Sequence, residues 1–194
     1  KKLYIKNILL NLIGKHNVLN GTAAISLSLN LGLNINTIKK ALKNFSGVQR
    51  RLTKVFQKNK IEFYDDYAHH PTEIKSVLEG FKKIISKRKI VAVFQPHRYS
   101  RIKSLKLEFG SCFKNSDQVI LCPVYAAGEP IDREYNDKKF AQLIAKLSKT
   151  QVILIKNEND LIKYFKKNLI SNEVVIGMGA GTISEWMYNL KNIL

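Results

Sequence analysis

The sequence predicts an α/β fold with a mostly parallel sheet, and three observations carry that expectation. Short apolar runs alternate with helix-period stretches from Lys54 onward. Glycine, proline and asparagine punctuate the junctions between them. Two polar segments, residues 65–73 and 94–101, each follow a strand-like run and lead into a helix-like one. That order places acid, imidazole, phenol and guanidinium groups at the carboxyl ends of strands, the edge where open α/β sheets bind ligands.

The elements follow in order. Residues 5–13 alternate and read as a strand, which Gly14 ends. Val18, Leu19, Ala23, Ala24, Leu27 and Leu31 keep a helical period over residues 17–31, and Gly32 is a C-terminal stop. Asn36 or Thr37 caps a short helix through Phe45. Ser46-Gly47 breaks it, and residues 47–53 form a connector. Residues 55–57 and 61–64 make a hairpin about Lys58-Asn59-Lys60. Pro71 suits the first turn of a helix to Ser86, with Glu73 available for capping. Strands are expected over 90–94, 118–122, 152–155 and 174–177. Helices are expected over 104–114, 137–147, 159–167 and 181–190, with a long loop from 123 to 136. Such alternation implies helices on both faces of the sheet. The first fifty or so residues, by contrast, cannot bury a core alone and read as the end of a domain that starts upstream.

Composition narrows the function classes. No run approaches the roughly 18 apolar residues of a membrane span. Lys1-Lys2 before Leu3, Tyr4 and Ile5 hints at a signal peptide, but Lys6, Asn7 and Asn11 break it, so a cytoplasmic location is expected. Cys112 and Cys122 show no metal spacing and read as two buried thiols. The net charge of +18 comes from lysines scattered as pairs such as Lys39-Lys40 and Lys166-Lys167. That pattern suits a solvated surface or a field favouring small polyanions, with no specific nucleic-acid partner expected.

Five segments carry chemistry. Gly14-Lys15-His16-Asn17-Val18-Leu19-Asn20 joins strand to helix, where free N–H groups and the helix dipole favour a nucleotide. Asn17 and Asn20 share a helical face and can read a base edge; a helix cap and a tolerated polar residue are the competing account. Arg50 and Arg51 offer forks for phosphate or make a solvated basic linker. Asp65 and Asp66 suit a ribose or a metal, but His69-His70 lacks a third ligand at zinc spacing, so no metal site is expected. Arg98 and Arg101 are three apart at a strand mouth and can face one anion, with His97 and Tyr99 between and beside them. Gly177-Met178-Gly179-Ala180-Gly181 follows the last strand, so a tight turn with close backbone approach fits better than a dinucleotide fingerprint.

Together with Gly47-Val48-Gln49-Arg50-Arg51 and Val124-Tyr125-Ala126-Ala127-Gly128-Glu129, these segments resemble the Mur ligases, ATP-dependent amide-forming enzymes of peptidoglycan synthesis. The His97-Arg98-Tyr99-Ser100-Arg101 run favours the branch that joins L-alanine to UDP-N-acetylmuramate. The branch that attaches a recycled murein tripeptide is the near alternative, and a non-catalytic nucleotide-binding module the remote one.

The resemblance implies that residues 1–47 end a central ATP-binding domain and that residues 48–194 form a Rossmann-like C-terminal domain. It places the ATP phosphate loop, the Mg2+ ligands and the UDP site upstream, so the chain alone is expected to be inactive. It implies adenine contacts for Asn17 and Asn20, phosphate contacts for Arg51 and a ribose contact for Asp66, or else Asp65. Tyr67, His69, Arg98 and Arg101 would close over UDP-N-acetylmuramate and L-alanine, the last three supporting the transition state.

Overall fold

The computed structural model describes residues 4–12, 14–45, 47–85 and 87–194, side chains of Lys15 and His16 excepted. The chain divides into two compact units, Lys1–Val48 and Gln49–Leu194. Ile13, Ser46 and Ser86, which bounded expected elements, lie outside the described residues, as do Lys1, Lys2 and Leu3.

The first unit holds two helices, α1 (Lys15–Asn30) and α2 (Ile35–Asn44). Helix α1 stops at Gly32, whose φ of 78° a glycine adopts without Cβ strain. The amides of Leu31, Gly32 and Leu33 then return to the carbonyls of Leu27, Leu29 and Ser28. Helix α2 starts earlier than expected. The cap is Asn34, whose side chain accepts the Asn36 N–H at 2.8 Å, so neither Asn36 nor Thr37 serves. Several asparagines compete there, and the first one past the Gly32 turn wins.

The strand expected over residues 5–13 is absent among the described residues 4–12. A strand exists only with a ladder partner, and this unit has no other described strand to supply one. Instead Asn11 Nδ2 donates to the Lys43 carbonyl at 2.7 Å. Among the described residues of this unit only Ile38 is buried, while Val18, Leu19, Leu27 and Leu31 are exposed.

The second unit is built on six strands: β1 (Thr53–Lys58), β2 (Ile61–Asp66), β3 (Ile90–Phe94), β4 (Gln118–Leu121), β5 (Gln151–Leu154) and β6 (Val174–Met178). Their order is β1-β2-β6-β3-β4-β5. Strands β1 and β2 pair antiparallel; every other pairing is parallel. The hairpin turns at Asn59 and Lys60, both with positive φ, as a two-residue turn that matches strand twist requires.

Helices α3 (Pro71–Ile84), α4 (Tyr99–Ser104), α5 (Lys106–Ser111) and α6 (Asp137–Ser148) cover one face. There Ile74, Leu78, Phe81, Phe109 and Ile144 pack on Ala92, Phe94, Val119 and Met178. Helices α7 (Glu158–Asn168) and α8 (Ile183–Ile193) cover the other, where Leu161, Phe165, Met187 and Leu190 meet Phe63, Val91, Val93 and Val175. Burial on both faces explains why β3 and β6 read as continuous apolar runs.

Two boundaries moved for reasons outside the local sequence. The helix expected over 104–114 arrives as α4 and α5, beginning five residues early. Glu129 causes this from a distant loop: it accepts the Ser100 N–H at 3.1 Å and also the Ser100 hydroxyl. Strand β2 runs through Asp65 and Asp66, because these pair with Gly177 and Met178 of β6. The acids therefore end the strand and do not follow it.

Chain direction now locates the cleft. Strand β3 leads to α4 on one face, and its neighbour β6 leads to α8 on the other. Connections that part to opposite faces open a crevice at the carboxyl edge between those strands.

Candidate ligand cleft at the carboxyl edge of the sheet

Alternation along β2 sends its two terminal acids to opposite faces. Asp66 Oδ1 accepts the Ala68 N–H at 2.7 Å and Oδ2 accepts the Leu52 N–H at 2.8 Å. Burial nevertheless wins over those bonds and pushes its pKa up to about 6. Asp65 accepts the Ser184 hydroxyl of α8 at 2.6 Å and lies 3.7 Å from Arg50 Nε. Its other oxygen, Oδ1, is buried with no hydrogen-bond partner among the described residues. Burial raises its pKa as well.

Arg50 is the hub of this floor. Its Nη2 donates to the Gly179 carbonyl at 2.7 Å and reaches the Gly181 carbonyl at 3.4 Å. Its guanidinium sits 4.7 Å over the Tyr67 ring, and its own carbonyl accepts the Tyr67 N–H at 2.7 Å. The glycine-rich turn after β6 thus presents carbonyls to a cation, where a dinucleotide fingerprint would present amides to an anion. The turn is also tight, as expected from its glycines. A Cβ on Gly179 would lie 2.8 Å from the Gln95 carbonyl, and one on Gly181 would lie 2.5 Å from both Gln95 Oε1 and Tyr125 Cγ. Gln95, buried at the end of β3, accepts the Ile183 N–H and donates to Thr182, which fixes the start of α8.

The wall begins at Tyr67. His69 Nδ1 lies 2.9 Å from the Tyr67 carbonyl and 3.6 Å from Glu73. Glu73 also accepts the N–H groups of His69 and His70, while the His70 ring accepts the Thr72 N–H: a capping box at the entry to α3. Burial works against the Glu73 carboxylate, but those two amides and neighbouring cations outweigh it and hold its pKa below the usual range. His69 and His70 therefore point to different tasks. Among the described residues no cluster of three or more ligating side chains is placed to hold a metal ion.

The opposite wall is the β3–α4 turn. His97 forms a parallel bridge with Tyr125, and Arg98 N–H donates to the Tyr125 carbonyl at 3.0 Å. Arg98 itself adopts φ 73° and ψ 134°, a region that glycine normally occupies and that costs a larger residue strain. Arg101 Nη1 lies 3.0 Å from His97 Nδ1 and 3.3 Å from the His97 carbonyl. Burial, with the charges of Arg101, His69 and Arg98, depresses the His97 pKa.

The two walls meet. The Tyr67 and His69 rings are 5.2 Å apart, the His69 and His97 rings 5.4 Å apart, and Arg101 is bonded to His97. Arg98 stands between them in sequence, exposed, its charge acting on His97. Arg51 is exposed 6.0 Å from the Tyr67 ring. Asn17 and Asn20 lie in the first turns of α1 in the other unit, Asn17 half-buried and Asn20 exposed; Gly14 holds the N-cap position.

The sequence named Arg50 only beside Arg51, and it held Gln95, Tyr125 and Glu129 within its motifs without a role for any of them. Gln95, between an apolar strand and Pro96, offered a signal: a polar residue at a buried strand end needs partners. Cys112 and Cys122 are both buried free thiols, and burial pushes their pKa values well up.

Known proteins are similar to this chain in sequence and fold. Residues 50–181 match the family described as Mur ligase, glutamate ligase domain. The chain is 46% identical over its 194 residues to the UDP-N-acetylmuramate–L-alanine ligase of Pelagibacter ubique, of which it covers 42%. It is 41% identical over the same length to the namesake from Methylorubrum extorquens, covering 41% of it. The crystal structure of a UDP-N-acetylmuramate-alanine ligase from Thermotoga maritima matches with a TM-score of 0.80 at 29% identity, over 97% of this chain and 40% of that one. A murein peptide ligase from Psychrobacter arcticus shares the fold, with a TM-score of 0.70 at 23% identity over 96% of this chain and 38% of that one. The chain thus spans about two-fifths of the length of these curated relatives. No described helix is long and apolar enough to cross a membrane. With residues 50–181 matching the family and identity to these enzymes running along all 194 of its residues, the chain belongs to the Mur ligase family.

Proposed function

We propose that this chain is the C-terminal part of a cytoplasmic, ATP-dependent ligase that joins L-alanine to UDP-N-acetylmuramate. The observation that carries the reading is the meeting of the Tyr67–His69 and His97–Arg101 walls at one rim of the sheet. In this reading residues 1–47 end the ATP-binding domain and residues 48–194 are the C-terminal domain. ATP phosphorylates the sugar carboxylate, the alanine amine attacks the acyl phosphate, and phosphate leaves. Arg98 and Arg101 stabilise the charge that develops on phosphoryl and acyl oxygens. They do so once the domain closes over its substrates.

Asn17 and Asn20 receive adenine, and Arg51 approaches the ATP phosphates from the connector. For the ribose, Asp66 remains the first candidate: each of its oxygens accepts one N–H and keeps a further lone pair. Asp65, with its unpartnered Oδ1, is the alternative. Mg2+ would neutralise phosphate charge. The described residues do not fit a magnesium set, so its ligands are assigned to the rest of the enzyme.

The test is a fusion of this chain to the first two domains of an L-alanine-adding relative. Amide product with L-alanine is the expected result. Product with murein tripeptide and none with alanine would transfer the assignment to the recycling ligase, and nucleotide binding without any turnover would leave a binding module.

A further inference from the structure

An amino acid at neutral pH carries an ammonium, which has no lone pair with which to attack an acyl phosphate. A proton must leave that nitrogen as the C–N bond forms. Hydrogen bonds decide which imidazole of the cleft can take it. Arg101 Nη1 lies 3.0 Å from His97 Nδ1. A guanidinium only donates, so that nitrogen accepts and the neutral His97 ring keeps its proton on Nε2. His69 is set the other way. Its Nδ1 lies 2.9 Å from the Tyr67 carbonyl, which only accepts. That nitrogen therefore carries the proton, and Nε2 keeps the lone pair.

Glu73 lies 3.6 Å from the same Nδ1. Its carboxylate steadies the imidazolium that forms when Nε2 takes up a proton, the service a carboxylate performs for a catalytic histidine elsewhere. Beside His69 stand Glu73 of α3 at 3.6 Å and the His97 ring of the β3–α4 turn at 5.4 Å; Arg98, Arg101 and Glu129 act on His97, and Arg51 of the connector acts on Glu73.

Resting on the ligase reading above, we propose that His69 is the general base that removes a proton from the ammonium of the incoming amino acid, with Glu73 and the Tyr67 carbonyl as its positioning partners. One ammonium N–H bond breaks and its proton passes to His69 Nε2. The freed electron pair forms the bond to the acyl carbon. The acyl C–O bond to phosphate then breaks, and phosphate departs with that electron pair and the second surplus proton. His69 returns its proton to solvent.

Two measurements test this. Long-range proton–nitrogen spectra of the imidazoles in the 194-residue chain report tautomers directly. The expected result is an Nδ1–H ring at His69 and an Nε2–H ring at His97; an Nε2–H ring at His69 overturns the proposal whatever the enzyme's substrate. In the fused enzyme, His69→Asn keeps a donor at the Nδ1 position but has no base. Turnover is expected to fall about 10²–10⁴-fold. The amino-acid KM should move by less than about threefold, and the defect should shrink as rising pH deprotonates the amine in solution. Near-native turnover in His69→Asn, or a defect that does not change with pH, overturns the role. Should the fusion accept only tripeptide, the alanine reading falls, while the same two measurements on that amine still decide His69.

Discussion

The two loops that face each other across the cleft are built on opposite electrostatic plans. At the end of β2, Asp65 and Asp66 are buried, and Asp66 is bonded to backbone amides of the connector and its own loop. At the end of β3, Arg98 is exposed and Arg101 half-buried against His97, on a turn held by a bridge to Tyr125 and by strained backbone at Arg98. The difference follows from chemistry. A carboxylate is compact, accepts two amides and can take a proton if burial demands it. A guanidinium cannot shed its charge: Arg50 reaches the floor against Asp65 and the Gly179 carbonyl, and Arg98 stays exposed at the rim. The acids thus lie buried in the floor, while Arg98 stands exposed at the rim.

The largest effect that would break this contrast lies at Arg98. Arg98→Ala in the fused enzyme should lower kcat/KM about 10²–10³-fold, the usual loss for one charge-stabilising donor. Its unfolding midpoint should not fall. Arg98→Lys should also be impaired, because a point charge does not replace a planar fork. Native rates in both variants would place the charge-stabilising role elsewhere. On the other loop the effect should fall on stability instead. Asp66→Ala strands two N–H groups, those of Leu52 and Ala68, and should cost about 3 kcal/mol in urea unfolding of the chain. A loss under about 1 kcal/mol would mean the acid does not anchor those amides.

The pH response sharpens the contrast further. The folded pKa of Asp66 is raised to about 6, against an unfolded value near 4. The folded state thus binds this proton more tightly, and the corresponding stability is full below about pH 4 and lost as pH rises through about 6. Glu73 has the opposite sign: its lowered pKa adds stability above the ordinary carboxylate range, lost as pH falls through the folded value. Carbon NMR of the two carboxyls should show midpoints on opposite sides of that range, and coincident midpoints would refute the assignment of burial as the cause.

Smallest of all, Arg98→Gly should relieve the strain at φ 73° and raise stability by about 1 kcal/mol while removing activity. Calorimetry that shows a lower melting temperature would remove strain from the account of this turn.

Much of the fold was legible before any coordinates. Pro71 with Glu73 announced the start of α3, the all-apolar runs announced β3 and β6, and Gly32 announced the end of α1. Such signals are local: they act within one turn of helix or one strand width. Residues 5–12 misled because alternation describes a strand that a partner must complete. The early start of α4 was illegible because Glu129, which accepts the Ser100 N–H in its first turn, is twenty-nine residues away. In the cleft, the residue types in the two loops and their strand-end positions were readable, but the pairing of His97 with Arg101 and of Arg50 with Gly179 was not.

The amino-acid order by itself determined the alternation of strands and helices, the burial of both sheet faces and the kind of chemistry carried at the strand ends, since periodicity and side-chain type are properties of a few neighbouring residues. Only the tertiary structure decided that β6 lies between β2 and β3. That insertion brings Arg50 onto the Gly179 carbonyl across 129 positions of chain and sets His69 beside His97. The physical reason is that strand order is settled by which apolar faces bury best against which helices, a balance summed over the whole core and written in no single segment.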